Sequence, residues 1–276
     1  MLTELLEPFA YAYMTKAIGL STLVGITCAC LSAYITLKGW SLMGDALSHA
    51  IVPGVALAYL AGLPYAAGAF FTGGLAAISM YLVKRTTKLR EDAIIGVVFT
   101  SFFALGLLLA SINPMTVDIQ AIVLGNSLTI PTEDAIQIAI ITAVTLIIIG
   151  LKWKDFTCVF FDINHAKSIG LPTSALQVVF FTLLSATTVA ALHTVGACLV
   201  IAMLVTPGAT AYLMTHQFRR MLILSMCLGG VTSGLGVYIS YFINTHPGGM
   251  VVILQTSVFL VVFGLNKIRK RPCLIG

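Results

Sequence analysis

The sequence predicts an all-α, polytopic membrane protein that forms one domain over residues 1–276. Hydrophobic residues make up 59% of the chain and charged residues 9%, whereas about 25% of the residues in an average soluble protein are charged. The mean hydropathy is +1.02. So few charges cannot cover a surface exposed to water, so most of this surface must face lipid. Apolar segments fill the chain and leave no room for a separate soluble domain.

The apolar segments are long enough for about nine transmembrane helices, since one crossing needs about 20 mainly apolar residues. The second segment is short and the sixth and seventh are nearly continuous, so eight is the alternative count. The predicted segments are 16–37, 46–62, 65–83, 93–111, 134–151, 175–192, 195–214, 219–243 and 249–266. Ahead of them, residues 2–13 are predicted to form a short interfacial helix, with Phe9, Tyr11 and Tyr13 at headgroup depth.

Basic residues alternate between the predicted loops, and short cytoplasmic loops are enriched in Lys and Arg. Basic residues follow every odd-numbered segment: Lys38; Lys84, Arg85, Lys88 and Arg90; Lys152, Lys154 and Lys167; Arg219 and Arg220; Lys267, Arg269, Lys270 and Arg271. The loops after the even-numbered segments contain no Lys or Arg. The pattern predicts an N-terminus outside the cell and a C-terminus in the cytoplasm. It also explains the net charge of +5 without nucleic-acid binding.

Two ionisable residues stand in or beside the second apolar segment, where a charge is costly and indicates function by default. Asp45 and His49 are four residues apart, so on a helix they share one face. A carboxylate and an imidazole suit a divalent first-row metal such as manganese, iron or zinc. Two ligands are too few for a tight structural metal site, but they suit a transport site from which the ion must also leave. The structural alternative is that Asp45 caps a helix beginning after Gly44.

Two Pro-Gly pairs occur in similar sequence contexts, Pro53-Gly54 and Pro207-Gly208. Paired interruptions in two halves of a transporter are typical of broken helices beside a substrate pathway, although such a match also arises by chance in apolar sequence. A broken helix can free backbone carbonyls as further oxygen ligands. His193, predicted between two segments at the outer end, is a further candidate pathway residue, with an interfacial histidine as the alternative.

The longest predicted cytoplasmic loop, residues 152–172, contains a short helix over 162–170. Asp162 is predicted as its N-cap and Gly170 as the residue that ends it. Phe160 and Phe161 lie beside it. An exposed helix with adjacent aromatic residues indicates a docking element for another protein.

No catalytic signature accompanies these features. The sequence has no phosphate-binding Gly-x-x-x-x-Gly-Lys-Ser/Thr loop, no Gly-x-Ser-x-Gly and no His-Glu-x-x-His, which argues against ATP binding by this chain and against an enzyme. A rival interpretation, an intramembrane metal hydrolase, would need a third ligand and an activated water. A second rival, a secondary carrier without an ATPase, would need no docking helix. The six cysteines form no Cys-x-x-Cys pair and are interpreted as small packing residues.

From about Phe9 to Asn266, the sequence resembles the permease family of ABC-type manganese, iron and zinc importers. The most specific match is the run Gly-Asp-Ala-Leu-Ser-His-Ala at 44–50 with Pro53-Gly54. Further matches are 91–96 with 103–106, 161–171, and 194–209. The manganese and iron branch is the most similar, although the zinc importers share these motifs.

The resemblance implies roles for the candidate residues. Asp45 and His49 would line the metal pathway, and the 162–170 segment, including Asn164, His165 and Ala166, would couple to a cytoplasmic ATPase. The implied partners are a second permease protomer, identical or homologous, an ATPase dimer that binds ATP, and an external metal-binding protein. This chain itself would carry no cofactor and would work in the inner membrane of a bacterium.

Overall fold

The computed structural model describes residues 7–269 with gaps at 41, 63–64, 88, 113–130 and 196. Residues 7–10 are helical and end at Tyr11, while residues 2–6 of the predicted interfacial helix lie outside the described part. Eleven longer helices follow: α1 (Ala12–Lys38), α2 (Met43–Ala50), α3 (Val52–Ala61), α4 (Tyr65–Thr86), α5 (Glu91–Ile112), α6 (Thr132–Phe161), α7 (Ile163–Ser168), α8 (Thr173–Val195), α9 (Ala197–Met214), α10 (Phe218–Ile243) and α11 (Pro247–Arg269).

The predicted all-α, polytopic architecture is confirmed. Within the described ranges seven helices are long and apolar enough to cross a membrane, namely α1, α4, α5, α6, α8, α10 and α11. Two shorter apolar stretches, Ala46–Ala61 and Leu199–Met214, fill the positions of the second and seventh predicted segments. Every predicted segment therefore coincides with helical structure.

Two predicted boundaries need correction. The second segment, 46–62, is not one helix but two, α2 and α3, which meet at Ile51. The fifth segment does not end at residue 151, because α6 continues through the predicted loop as far as Phe161. Lys152 has non-helical angles (φ −110°, ψ 17°) and marks a kink there. The helical residues between the kink and Phe161 therefore separate α7 from the end of the predicted apolar segment.

Helix α1 is the centre of the bundle. It packs most extensively against α10 and also contacts α6, α8 and α9. Nearly every residue from Val24 to Ile35 is buried, including the small residues Cys28 and Cys30. The Ser225 hydroxyl of α10 donates a 2.7 Å hydrogen bond to the carbonyl of Ala29 on α1. Small side chains allow the two backbones to approach closely, which is the usual basis of helix association in membranes.

The two ends of the bundle differ in their side chains. At one end, buried Tyr34 contacts four phenylalanine rings, Phe156, Phe160, Phe180 and Phe218, at centroid distances of 5.0–6.2 Å. There Lys84 Nζ lies 5.6 Å from the Trp40 ring centroid.

At the other end, Lys16 Nζ donates a 3.3 Å hydrogen bond to Thr132 Oγ1, so α1 and α6 begin side by side. Tyr11 also lies 6.2 Å from Tyr241, near the end of α10. The starts of α1 and α6 and the end of α10 therefore lie at the same end of the bundle.

Candidate functional site

The junction between α2 and α3 forms the core of the candidate site. Pro53 stands in the first turn of α3, where it cannot donate the backbone hydrogen bond that a continuing helix would make to the carbonyl of His49. That carbonyl instead faces the N–H of Ile51. The Ile51 carbonyl accepts from Gly54 at 2.9 Å and from Val55 at 3.1 Å. The Ile51 carbonyl at the junction therefore already has two backbone donors.

Asp45 and His49 lie on the same helix, α2, one turn apart, as their spacing predicts. The helix begins at Met43 with Leu42 as its N-cap, so Asp45 is the third helical residue. The alternative of Asp45 as the N-cap is wrong, because the helix starts at Met43, three residues earlier than expected. The side chain of Asp45 lies outside the part that the structure describes.

His49 is partly buried in the last turn of α2, against two aromatic rings of α5. Its imidazole centroid lies 5.3 Å from the Phe99 ring and 5.1 Å from the Phe103 ring. Phe99 and Phe103 stack on each other at 6.0 Å with 16° between their planes. Phe99 and Phe103 were not predicted as site residues from the sequence. The available signal was the i, i+4 spacing of the two aromatic residues on an apolar helix.

The described residues contain no group of three or more His, Cys, Asp or Glu side chains close enough to hold a metal ion. The candidate ligands that the sequence supplies on α2 are a carboxylate and an imidazole, those of Asp45 and His49. Such a pair can bind a divalent ion only together with other oxygen donors or water.

The first Pro-Gly pair brings α3 against α4. A Cβ atom on Gly54 would collide with the carbonyl oxygen of Gly68 and with Thr72 Oγ1. The Thr72 hydroxyl donates to the carbonyls of Gly68 and Ala69 at 3.2 and 3.3 Å. Gly54 therefore permits a close helix contact that any side chain would push apart.

The second Pro-Gly pair lies inside α9, where Pro207 is buried. The N–H of Gly208 donates to Ser32 Oγ of α1 at 3.0 Å, and the same hydroxyl donates to the carbonyl of Val205 at 3.3 Å. Ser32 thus satisfies backbone groups at the interruption. Helix α9 also contacts α2, since a Cβ on Gly44 would lie 3.1 Å from Leu204 Cβ.

Two further polar positions differ from expectation. His193 was placed between two segments, but α8 runs to Val195 and includes it; its side chain lies outside the described part. Gln255 of α11 was not singled out, yet it is only 3% exposed, and neither of its amide atoms makes a hydrogen bond within the described residues. It lines a cavity of about 10 Å³ with Thr206, Pro207, Thr210 and Thr232, among others.

The predicted helix after α6 is present as α7, with the expected ends. The Asp162 carboxylate accepts from the backbone N–H groups of Asn164 at 2.8 Å and His165 at 3.2 Å. These bonds lower the pKa of Asp162, because they favour its charged form. The cap is thus fully formed at neutral pH and is lost only as the carboxylate is protonated in acid.

The end of α7 is a Schellman motif, a common way to satisfy the last carbonyls of a helix. Gly170 has φ +80°. Its N–H donates to the Lys167 carbonyl, and the N–H of Leu171 donates to the Ala166 carbonyl, both at 3.0 Å. Ala166 is fully buried, whereas Phe161 and Ile169 are 79% and 57% exposed. The segment is therefore attached to the bundle on one face and presents apolar side chains on another.

Comparison with known proteins places this architecture in a family. The model of the ABC 3 transport family matches residues 10–266. The chain is 60% identical to the chelated iron transport system membrane protein YfeC of Yersinia pestis, over 95% of this chain and 90% of that protein. It is 49% identical to the manganese transport system membrane protein MntB of Synechocystis, over 93% of this chain and 84% of that protein.

A solved structure agrees with this assignment. PsaBC from Streptococcus pneumoniae, solved in complex with a Fab, has a TM-score of 0.84 and 34% identity, and the match covers 95% of each chain. Family membership confirms the prediction of a transport permease rather than an enzyme. This chain belongs to the ABC 3 transport family and is an integral membrane permease.

Proposed function

We propose that this permease carries divalent transition-metal ions, Mn²⁺ or Fe²⁺, into the cell. The observation that carries the proposal is the position of His49, one turn after Asp45 in a short helix among membrane-spanning helices. Ionisable residues at such depth are costly and are typically retained for an ion or substrate pathway. Two relatives are membrane proteins of a chelated iron and a manganese transport system, and their names support the choice of metals.

The proposed mechanism is alternating access in which Asp45 and His49 hold the ion briefly. A carboxylate and an imidazole accept several first-row metals, so selectivity must come from geometry or from delivery of the ion. The proposed pathway runs beside the α2–α3 junction at Pro53 and Gly54. His193, Pro207 and Gly208 are the further candidates, and α9, which carries the second Pro-Gly pair, contacts α2 near Gly44.

The proposed orientation has the N-terminus outside and the C-terminus in the cytoplasm of a bacterial inner membrane. The distribution of basic residues supports it. A hydrogen bond between Lys16 and Thr132 joins the starts of α1 and α6. These helices correspond to the first and fifth predicted segments, which are both expected to start on the outer side, so the contact supports the predicted order of crossings. In this orientation α7 lies on the cytoplasmic side. Residues 1–276 would then act as a single membrane domain.

The proposed partners are a second permease protomer, a dimer of cytoplasmic ATPase subunits that bind and hydrolyse ATP, and an external metal-binding protein. The α7 segment supports the ATPase contact, because it is capped at both ends and exposes Phe161 and Ile169. Asp162, Asn164, His165, Ala166 and Gly170 are its proposed coupling residues. This mode of docking resembles other helix-in-groove interactions.

Competition between metals tests the proposal. Cells that express the whole transporter should take up radioactive Mn²⁺, and unlabelled Mn²⁺ and Fe²⁺ should compete more strongly than Zn²⁺. Stronger competition by Zn²⁺ would replace the proposal by a zinc importer of the same family. Uptake that continues without the ATPase subunit would instead indicate a secondary carrier. A catalytically inactive ATPase subunit serves as the matched control for expression and assembly.

A further inference from the structure

We infer that Phe99 and Phe103 of α5 are positioning residues for His49, which hold its imidazole in the orientation that binds the metal. This inference rests on the proposed function, because it assigns how one proposed ligand is oriented. Neither phenylalanine offers a donor atom to a metal ion, so both would act only through His49.

The three rings form one cluster. The imidazole meets Phe103 edge-on, with 72° between the planes, and meets Phe99 at 57°. The two phenyl rings are nearly parallel and stand one helical turn apart. Tilted and edge-to-face contacts at 4.5–7 Å are the favoured geometries of aromatic pairs. A change in the plane of the imidazole would alter its angle to both phenyl rings, so the pair restricts the plane in which the ring lies.

The position of these rings relative to His49 is set by a close contact of the backbones. A Cβ atom on Gly106 of α5 would lie 2.8 Å from Val52 Cγ1 and 3.0 Å from the backbone nitrogen of Pro53. Gly106 thus lets α5 lie directly on the α2–α3 junction. Because His49 is three residues before Val52, the same contact places Phe99 and Phe103 beside the imidazole.

Orientation of a ligand matters for affinity. Groups that orient a metal-binding histidine by hydrogen bonds typically change metal affinity or activity by about 10–100-fold when they are replaced, and a packing contact is expected to act at the lower end of that range. The aromatic pair would do this here by packing, since both rings are partly buried and stack on each other. Without the two phenyl rings, the imidazole could still bind the metal but would less often have the correct orientation. The KM for the metal would therefore rise.

The neighbouring Phe102 provides the matched control. It is also a partly buried phenylalanine of α5, and it packs against the hydrophobic core, but its ring is not among those that contact His49. Phe99→Ala, Phe103→Ala and Phe102→Ala therefore remove the same side chain from the same helix, and only the first two remove a contact with the imidazole. Phe103→Tyr keeps the ring and serves as the conservative variant.

The test is the concentration dependence of Mn²⁺ uptake in cells that contain the whole transporter, with permease content measured by immunoblot. Phe99→Ala and Phe103→Ala should raise the KM about 10-fold at an unchanged Vmax per transporter, while Phe102→Ala and Phe103→Tyr keep the wild-type KM. An unchanged KM in the first two variants, a loss confined to Vmax, or an equal rise in Phe102→Ala would overturn the inference.

His49→Ala, measured in parallel, separates this inference from the proposed function. If His49→Ala abolishes uptake while the phenylalanine variants keep the wild-type KM, only the positioning role is refuted. If His49→Ala transports normally, the proposed metal site itself is refuted.

Discussion

The hydroxyl of Tyr34 in α1 donates a 3.3 Å hydrogen bond to the carbonyl of Trp153, one residue after the kink of α6. The hydroxyl of Thr157 donates to the same carbonyl at 2.6 Å, so two side chains meet the backbone beside the kink. The central helix of the bundle is thereby joined to the extension that carries α7. The Tyr34–Phe160 ring pair, 5.9 Å apart, forms a second contact between α1 and the residues just before α7.

Removal of the Tyr34 ring should strongly destabilise the protein. Tyr34→Ala leaves a cavity among four aromatic rings and should cost about 3–5 kcal/mol. Tyr34→Phe keeps the ring and loses only the hydrogen bond, at a cost of about 1 kcal/mol. Thermal unfolding of the purified protein in detergent measures both. Equal midpoints for the two variants would contradict the central role of the ring.

The end of α7 offers a test of coupling. Gly170 has a left-handed φ of +80°, which costs a β-branched residue about 1–2 kcal/mol. Gly170→Val should therefore deform the Schellman motif, so that ATP hydrolysis continues with less metal transported. Gly170→Asn is the control, because asparagine tolerates this conformation. The ratio of ATP hydrolysed to metal transported is measured in liposomes with the complete transporter, and a wild-type ratio in Gly170→Val would refute the coupling role.

The orientation of the chain is tested by cysteine labelling. In a variant without its native cysteines, Thr116→Cys, in the predicted outer loop, should react with a membrane-impermeant thiol reagent in intact cells. Ile169→Cys should react only after the cells are opened, and Ile169 suits the purpose because it is 57% exposed. Labelling of both positions from the same side would show that the assignment of crossings is wrong.

Gln255 permits a test of whether a buried amide without hydrogen bonds destabilises the protein. An amide buried without hydrogen bonds costs about 1–3 kcal/mol, so Gln255→Met, which is similar in size and apolar, should raise the unfolding midpoint or leave it unchanged. Gln255→Ala should lower it, because it enlarges the cavity beside Pro207. If Gln255→Met destabilises as much as Gln255→Ala, the amide must be hydrogen-bonded, and the interpretation of an unpaired group fails.

The sequence was sufficient for the helices and for α7, because these depend on local patterns. A run of about 20 apolar residues predicts a crossing, and the Asp162 cap and the Gly170 ending follow from residue preferences at helix ends. The same local reasoning placed Asp45 and His49 on one helix face. It missed the start of α2 at Met43, because neither Leu42 nor Met43 is a typical helix-start residue.

Contacts between distant segments could not be predicted in this way. In an apolar helix every face is hydrophobic, so periodicity does not show which side of α5 meets His49. The position of Phe99 and Phe103 beside His49 depends on the packing of α5 against α2 and α3, which includes the close approach of Gly106 to the α2–α3 junction. The hydrogen bonds of Ser32 with Val205 and Gly208 join residues 173 and 176 positions apart and likewise depend on the tertiary fold.

In the proposed mechanism, Asp45 and His49 coordinate the metal during passage. The most direct measurement is the initial rate of Mn²⁺ uptake by cells with the whole transporter that carries Asp45→Asn or His49→Ala. Asp92→Asn and His216→Ala, at exposed positions outside the proposed site, are the matched controls, and co-purification of the ATPase subunit verifies folding and assembly. We expect uptake to fall about 10–100-fold or more in the two site variants and to stay at the wild-type level in the controls. Wild-type uptake by assembled Asp45→Asn and His49→Ala proteins would show that the pair is structural.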